Sequence, residues 1–127
     1  MQILVVDDEP DIREVARLSL ELIGECTVFV AESGNDAVEQ AVLHAPDVIL
    51  LDMMMPGIDG IETLQRLSFD PRTSHIPVIF LTAKAQSDDR RRFENTGARG
   101  IIAKPFDPMT LADDVERILS TPHMSDS

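Results

Sequence analysis

Short apolar runs alternate with longer amphipathic stretches along the whole chain, and this alternation leaves few folds open. Ile3-Leu4-Val5-Val6, Cys26 to Ala31, Val48-Ile49-Leu50-Leu51, Val78-Ile79-Phe80-Leu81 and Ile101-Ile102-Ala103 are each short enough to be strands. Their near-continuous apolar character is that of strands buried on both faces. The stretches between them carry helical periodicity. Pro10 sits where a helix can begin, and the first helix runs to about Gly24, with Ile12, Val15, Ala16, Leu22 and Ile23 as its expected buried stripe. Further helices are expected over 35–44, 61–67, 86–96 and 108–119, with strands over 2–7, 26–31, 47–52, 76–82 and 99–103. Five strand–helix units in strict alternation predict a doubly wound α/β domain. Right-handed crossovers and this length favour a flavodoxin-like parallel sheet in the order 2-1-3-4-5, helices on both faces. The domain is expected over 1–119, followed by a polar tail over 120–127.

Four of the apolar runs end in a residue that chemistry can use: Asp7-Asp8, Asp52, Thr82 and Lys104. In a parallel sheet these ends share one edge, and open α/β sheets bind ligands in the crevice beyond the carboxyl ends of their strands. The 2-1-3-4-5 order sets the first and third strands side by side, and so places Asp7 and Asp8 beside Asp52. Crowded carboxylates repel one another unless a cation sits among them. A hard divalent ion with oxygen ligands, Mg²⁺ above all, meets that need. The plainer reading is three solvated acids at loop ends on an acidic protein. Lys104 as a compact positive charge and Thr82 as a hydroxyl donor favour the metal, because with the acids they outline phosphoryl transfer: a carboxylate nucleophile, a metal, a fixed cation and a hydrogen-bond donor.

Composition excludes other classes. A formal charge of -12 repels nucleic-acid phosphates, so no direct nucleic-acid binding is expected. No apolar run is long enough to span a bilayer, and the chain enters a strand without a signal-like segment; the expected location is cytoplasmic, with no membrane contact. Cys26 is the only cysteine, which removes an internal disulfide, and it reads as a buried small side chain. His44, His75 and His123 lie far apart without ligand spacing; His44 suits the end of its helix, where a cation is favoured.

The motifs Val-Val-Asp7-Asp8-Glu-Pro, Leu-Leu-Asp52-Met-Met-Met-Pro56-Gly57, Phe-Leu-Thr82-Ala83 and Lys104-Pro105-Phe106, in this order and at these spacings, closely resemble a response-regulator receiver domain of two-component signalling, of the single-domain chemotaxis-regulator kind, over about 2–119. The resemblance implies that Asp52 accepts a phosphoryl group from a sensor histidine kinase or histidine phosphotransfer protein. It implies Mg²⁺ held by Asp8, Asp52 and the backbone carbonyl of Met54, with Asp7 acting through water, and phosphoryl oxygens met by Thr82 and Lys104. The Lys104–Pro105 bond is expected to be cis. Thr82, Ile101 and Pro105 would relay the change to a downstream protein target on the surface formed by residues 86–96, 99–103 and 108–119. Such a protein is not an enzyme on outside substrates; it catalyses only its own phosphorylation and dephosphorylation.

Two positions depart from the usual pattern. Three residues before the active-site lysine the family usually carries Tyr or Phe, whereas this chain has Ile101, so Thr82 would act without a swinging ring. Met54, two residues after the acceptor, orients a hydrolytic water poorly and predicts slow self-dephosphorylation, with Lys84 also near that path. The segment Asp88-Asp89-Arg90-Arg91-Arg92 reads first as a solvated helix with paired charges; Phe93 as its only large apolar anchor would also suit a movable partner face. Two other functions compete. An aspartyl-nucleophile phosphatase of the haloacid-dehalogenase class would place its general acid where Met54 stands, which argues against it. A receiver-like interaction module that is never phosphorylated is the other, and Ile101 keeps it open.

Overall fold

The computed structural model describes residues 1–83 and 96–121. Its elements are β1 (Gln2–Val6), α1 (Pro10–Leu22), β2 (Thr27–Ala31), α2 (Gly34–His44), β3 (Val48–Asp52), α3 (Gly60–Phe69), β4 (Val78–Thr82), β5 (Gly100–Ala103) and α4 (Leu111–Ser120). All strands are parallel, in one five-stranded sheet of order β2-β1-β3-β4-β5, as the alternation predicts. The helix expected over 86–96 lies outside the described residues except for Thr96, which stands in a turn, and the tail after Thr121 lies outside them too.

Alternate side chains of each central strand feed two cores. Leu4, Val6, Ile49, Leu51 and Phe80 meet Ala37, Ala41, Leu64 and Leu67 on the α2–α3 side. Ile3, Val5, Leu50, Ile79 and Leu81 meet Ala16, Leu20, Leu111 and Val115 on the α1–α4 side. Each large side chain so buried contributes about 1.5–3 kcal/mol, and every residue of β3 and β4 is buried. This two-sided burial fixes the strand register, and so fixes which residues arrive at the carboxyl edge.

Several boundaries and one helix face differ from expectation. In α1 the buried line is Ala16, Ser19 and Leu20, with Ile12 half-buried, whereas Val15, Leu22 and Ile23 are exposed. At 100° per residue Leu22 stands about 200° round from Leu20, so the two cannot share a face. Ser19 is a polar residue on the buried line because its hydroxyl donates to the Pro108 carbonyl. The left-handed residue after α1 is Glu25 (φ 55), not Gly24. Gly24 instead permits the approach of α4, since a Cβ there would lie 2.8 Å from Ala112 Cβ. Cys26 is only half-buried, its thiol pKa raised first by burial. The expected start of the last helix at 108 is a turn closed by Asp107, which accepts from Thr110 N (3.1 Å), Leu111 N (3.0 Å) and, through its side chain, Met109 N (2.8 Å). His44 ends α2 and stacks on Phe29, ring centroids 3.8 Å apart.

Candidate functional site

The ends of β1, β3, β4 and β5 stand along one edge. The ladder carries the backbone straight into the site: Asp7 N donates to Ala31 O (3.1 Å), Met53 N to Leu81 O (3.0 Å), and Lys104 N to Thr82 O (2.8 Å). Asp52 pairs in register with Leu81, and Thr82 with Ala103. The predicted residues therefore meet because each is the terminal residue of a strand, or lies one or two residues beyond it, and the strand's register is set by its core.

Asp7, Asp8 and Asp52 each offer a carboxylate oxygen, and these atoms all lie within 4.8 Å of one another. Asp7 and Asp52 are buried, and Asp8 is half-buried. Lys104 spans the two buried acids, its Nζ 2.6 Å from Asp7 Oδ2 and 3.2 Å from Asp52 Oδ1. Asp7 Oδ1 accepts from Glu9 N at 2.9 Å, and Asp52 Oδ1 from Met54 N at 3.3 Å. Among the described residues Asp52 Oδ2 is buried without a hydrogen-bond partner. Burial, and next the charge of Asp7, push the Asp52 carboxyl up to about 6, against the pull of Lys104 and the Met54 N–H. Burial works against the Lys104 ammonium, but its hydrogen bond to Asp7 and the charges of both acids outweigh that and raise its pKa.

This donor set fits a divalent ion. A buried carboxylate oxygen with no partner costs free energy that a cation would recover, and three clustered carboxylates are the hard oxygen ligands such an ion selects.

The loop after β3 is shaped to keep Asp52 enclosed. Gly60 N donates back to Met53 O at 2.9 Å, and a Cβ on Gly60 would lie 2.7 Å from Asp52 O and 2.9 Å from Met53 Cα. Only glycine lets α3 start this close. Asp59 caps α3 by accepting from Glu62 N (2.9 Å). Met54 is 64% exposed between buried Met53 and Met55.

Thr82 is buried at the end of β4, and the Lys104–Pro105 bond is cis. Ile101 stands opposite Phe80 on β5, partly buried against the α2–α3 core. Arg13 escaped the sequence reading: its Nη1 donates to the Asp7 carbonyl at 2.8 Å. The available signal was the helix start at Pro10, which puts Arg13 in the first turn, within reach of the acidic pair.

Comparison with known proteins agrees with this geometry. Residues 3–116 match the family described as response regulator receiver domain. Protein PilH of Pseudomonas aeruginosa is 39% identical over 119 residues, 94% of this chain and 98% of PilH. The phosphate regulon transcriptional regulatory protein PhoB of the same organism is 42% identical over 126 residues, 98% of this chain and 54% of PhoB. The chain thus spans about half the length of PhoB, as it does of other curated relatives it matches. Among solved structures, the Vibrio cholerae chemotaxis protein CheY4 superposes with a TM-score of 0.85 at 28% identity, covering 92% of this chain and 97% of that one. By motif, by fold and by this match over nearly its whole length, the chain belongs to the response regulator receiver domains.

Proposed function

We propose that this chain is a phosphoacceptor switch of a two-component or phosphorelay system, with Asp52 as the acceptor. The observation that carries the reading is the Asp52 carboxylate: buried, one oxygen unpartnered, with two further acids and Lys104 around it. A carboxylate oxygen of Asp52 attacks the phosphorus of a phosphohistidine on a sensor histidine kinase or histidine phosphotransfer protein. The P–N bond breaks, the imidazole leaves with the electron pair, and an aspartyl phosphate forms. Asp8, Asp52 and the Met54 carbonyl would hold Mg²⁺ directly and Asp7 through water, and the ion would neutralise charge on the transferred group.

Lys104 then exchanges its contact with Asp52 for a phosphoryl oxygen, and the Thr82 hydroxyl donates to another. The shift of Thr82 and of Lys104, next to Pro105, is passed to β5, where Ile101 fills its place without a ring. A downstream protein reads the surface that includes β5 and α4. On this reading the protein acts in the cytoplasm and turns over no outside substrate. The chain should gain about 80 Da, one phosphoryl group, with a small phosphodonor and Mg²⁺, and Asp52→Ala should not. No gain in the unaltered chain would favour an interaction module that is never phosphorylated.

A further inference from the structure

Arg13 carries a charge that is held in no ion pair among the described residues, although its field reaches Glu14. Among the described residues, Glu14 and Glu21 are both taken by Arg17, and the one hydrogen bond of the Arg13 side chain goes to the Asp7 carbonyl at 2.8 Å. Covalent geometry puts an aspartate's carboxylate within about 4 Å of its own carbonyl, so the guanidinium stands within about 7 Å of the Asp7 carboxylate. That is inside the ~8 Å screening length of physiological salt. On a chain of net charge -12, a cation outside any ion pair among the described residues is thus tied to the backbone of the acidic pocket.

The charge count gives it a task. Three carboxylates against Lys104 leave two negative charges in the pocket, which one divalent cation cancels. A phosphoryl group on Asp52 replaces one negative charge by two, and the filled site is again one charge short. Beyond Lys104, Arg13 is the described cation that a hydrogen bond ties to one of these acids, through the Asp7 carbonyl, and its charge closes the deficit.

We infer that Arg13 is the second cation of the site, serving the anion and not the metal; this rests on the phosphoacceptor reading above. The two roles have opposite electrostatic signs. A cation near the pocket weakens Mg²⁺ binding on its own and strengthens binding of a phosphoryl-like anion once Mg²⁺ is present. A residue that only braced the Asp7–Asp8 turn would, when lost, weaken both.

The test is calorimetric titration of the whole chain, first with Mg²⁺ alone and then with beryllofluoride at saturating Mg²⁺, for the unaltered protein, Arg13→Gln and Arg13→Lys. Arg13→Gln should bind Mg²⁺ several-fold more tightly and beryllofluoride about tenfold more weakly, whereas Arg13→Lys should keep most of the anion affinity. Weakening of both ligands in Arg13→Gln, or no change in either, would overturn the assignment. Failure of the unaltered chain to bind beryllofluoride would instead overturn the phosphoacceptor reading on which it rests.

Discussion

Replacing Asp52 with Asn should stabilise the metal-free protein, although it removes the proposed acceptor. Asp52 is a nearly fully buried carboxylate, its side chain only 4% exposed, beside the Asp7 charge. Its folded-state value of about 6 against an ordinary 3.8 corresponds to roughly 3 kcal/mol of unfavourable ionisation. The charged contact with Lys104 at 3.2 Å is already contained in that value, so giving it up adds no separate cost. The gain is about 3 kcal/mol, or roughly 12 °C in Tm for a chain this size.

The pH dependence has a definite sign. The folded carboxyl holds its proton more tightly than the unfolded one, so stability falls as pH rises from about 4 to about 6. Above that window the penalty is complete; below it both states are protonated and the penalty disappears. The advantage of Asn should therefore be near zero at pH 4, full at pH 7.5, and reduced at pH 7.5 by millimolar Mg²⁺ if the unaltered site binds the ion as proposed. Urea unfolding followed by far-ultraviolet circular dichroism measures this in a chain with no Trp or Tyr. An Asn variant no more stable at pH 7.5, or equally favoured at both pH values, would refute the idea that Asp52 is held ionised at a cost.

Other expectations are as direct. Gly60→Ala should lower stability by about 1–3 kcal/mol in urea melts, because its Cβ meets backbone at Asp52 and Met53; a rise would mean that α3 can step back freely. Lys104→Gln should tighten Mg²⁺ binding by about tenfold or more in calorimetry, since the ion no longer competes with an ammonium bonded to Asp7 and Asp52; weaker binding would contradict that competition. Met54→Asn should shorten the lifetime of the phosphorylated chain several-fold, as an amide orients water better than a thioether at this exposed position; an unchanged decay would remove Met54 from the hydrolytic path.

What could be read in the sequence was what depends on strand order. Asp7, Asp52, Thr82 and Lys104 follow apolar runs, and a parallel sheet has only one carboxyl edge on which to place them. The hidden part depends on rotation and reach. Val15 and Leu22 are as apolar as Leu20, and only the tilt of α1 on the sheet decides that Ala16 and Leu20 face inward. That Lys104 bonds Asp7 more closely than Asp52, and that Arg13 folds back onto the Asp7 carbonyl, are side-chain choices that no periodicity encodes. Gly60 reads as an ordinary helix start; its importance appears only when the Asp52 carbonyl is seen where a Cβ would be.

The central claim is that the strand-end acids form an acceptor whose reactive member is Asp52. Treating the chain with a small phosphodonor and Mg²⁺, converting the acyl phosphate with hydroxylamine and sequencing the peptides by mass locates the phosphorylated residue. The hydroxamate is expected on Asp52 alone, and its yield should collapse when Mg²⁺ is chelated. A hydroxamate on Asp7 or Asp8, or equal labelling without Mg²⁺, would contradict the assignment of roles within the cluster.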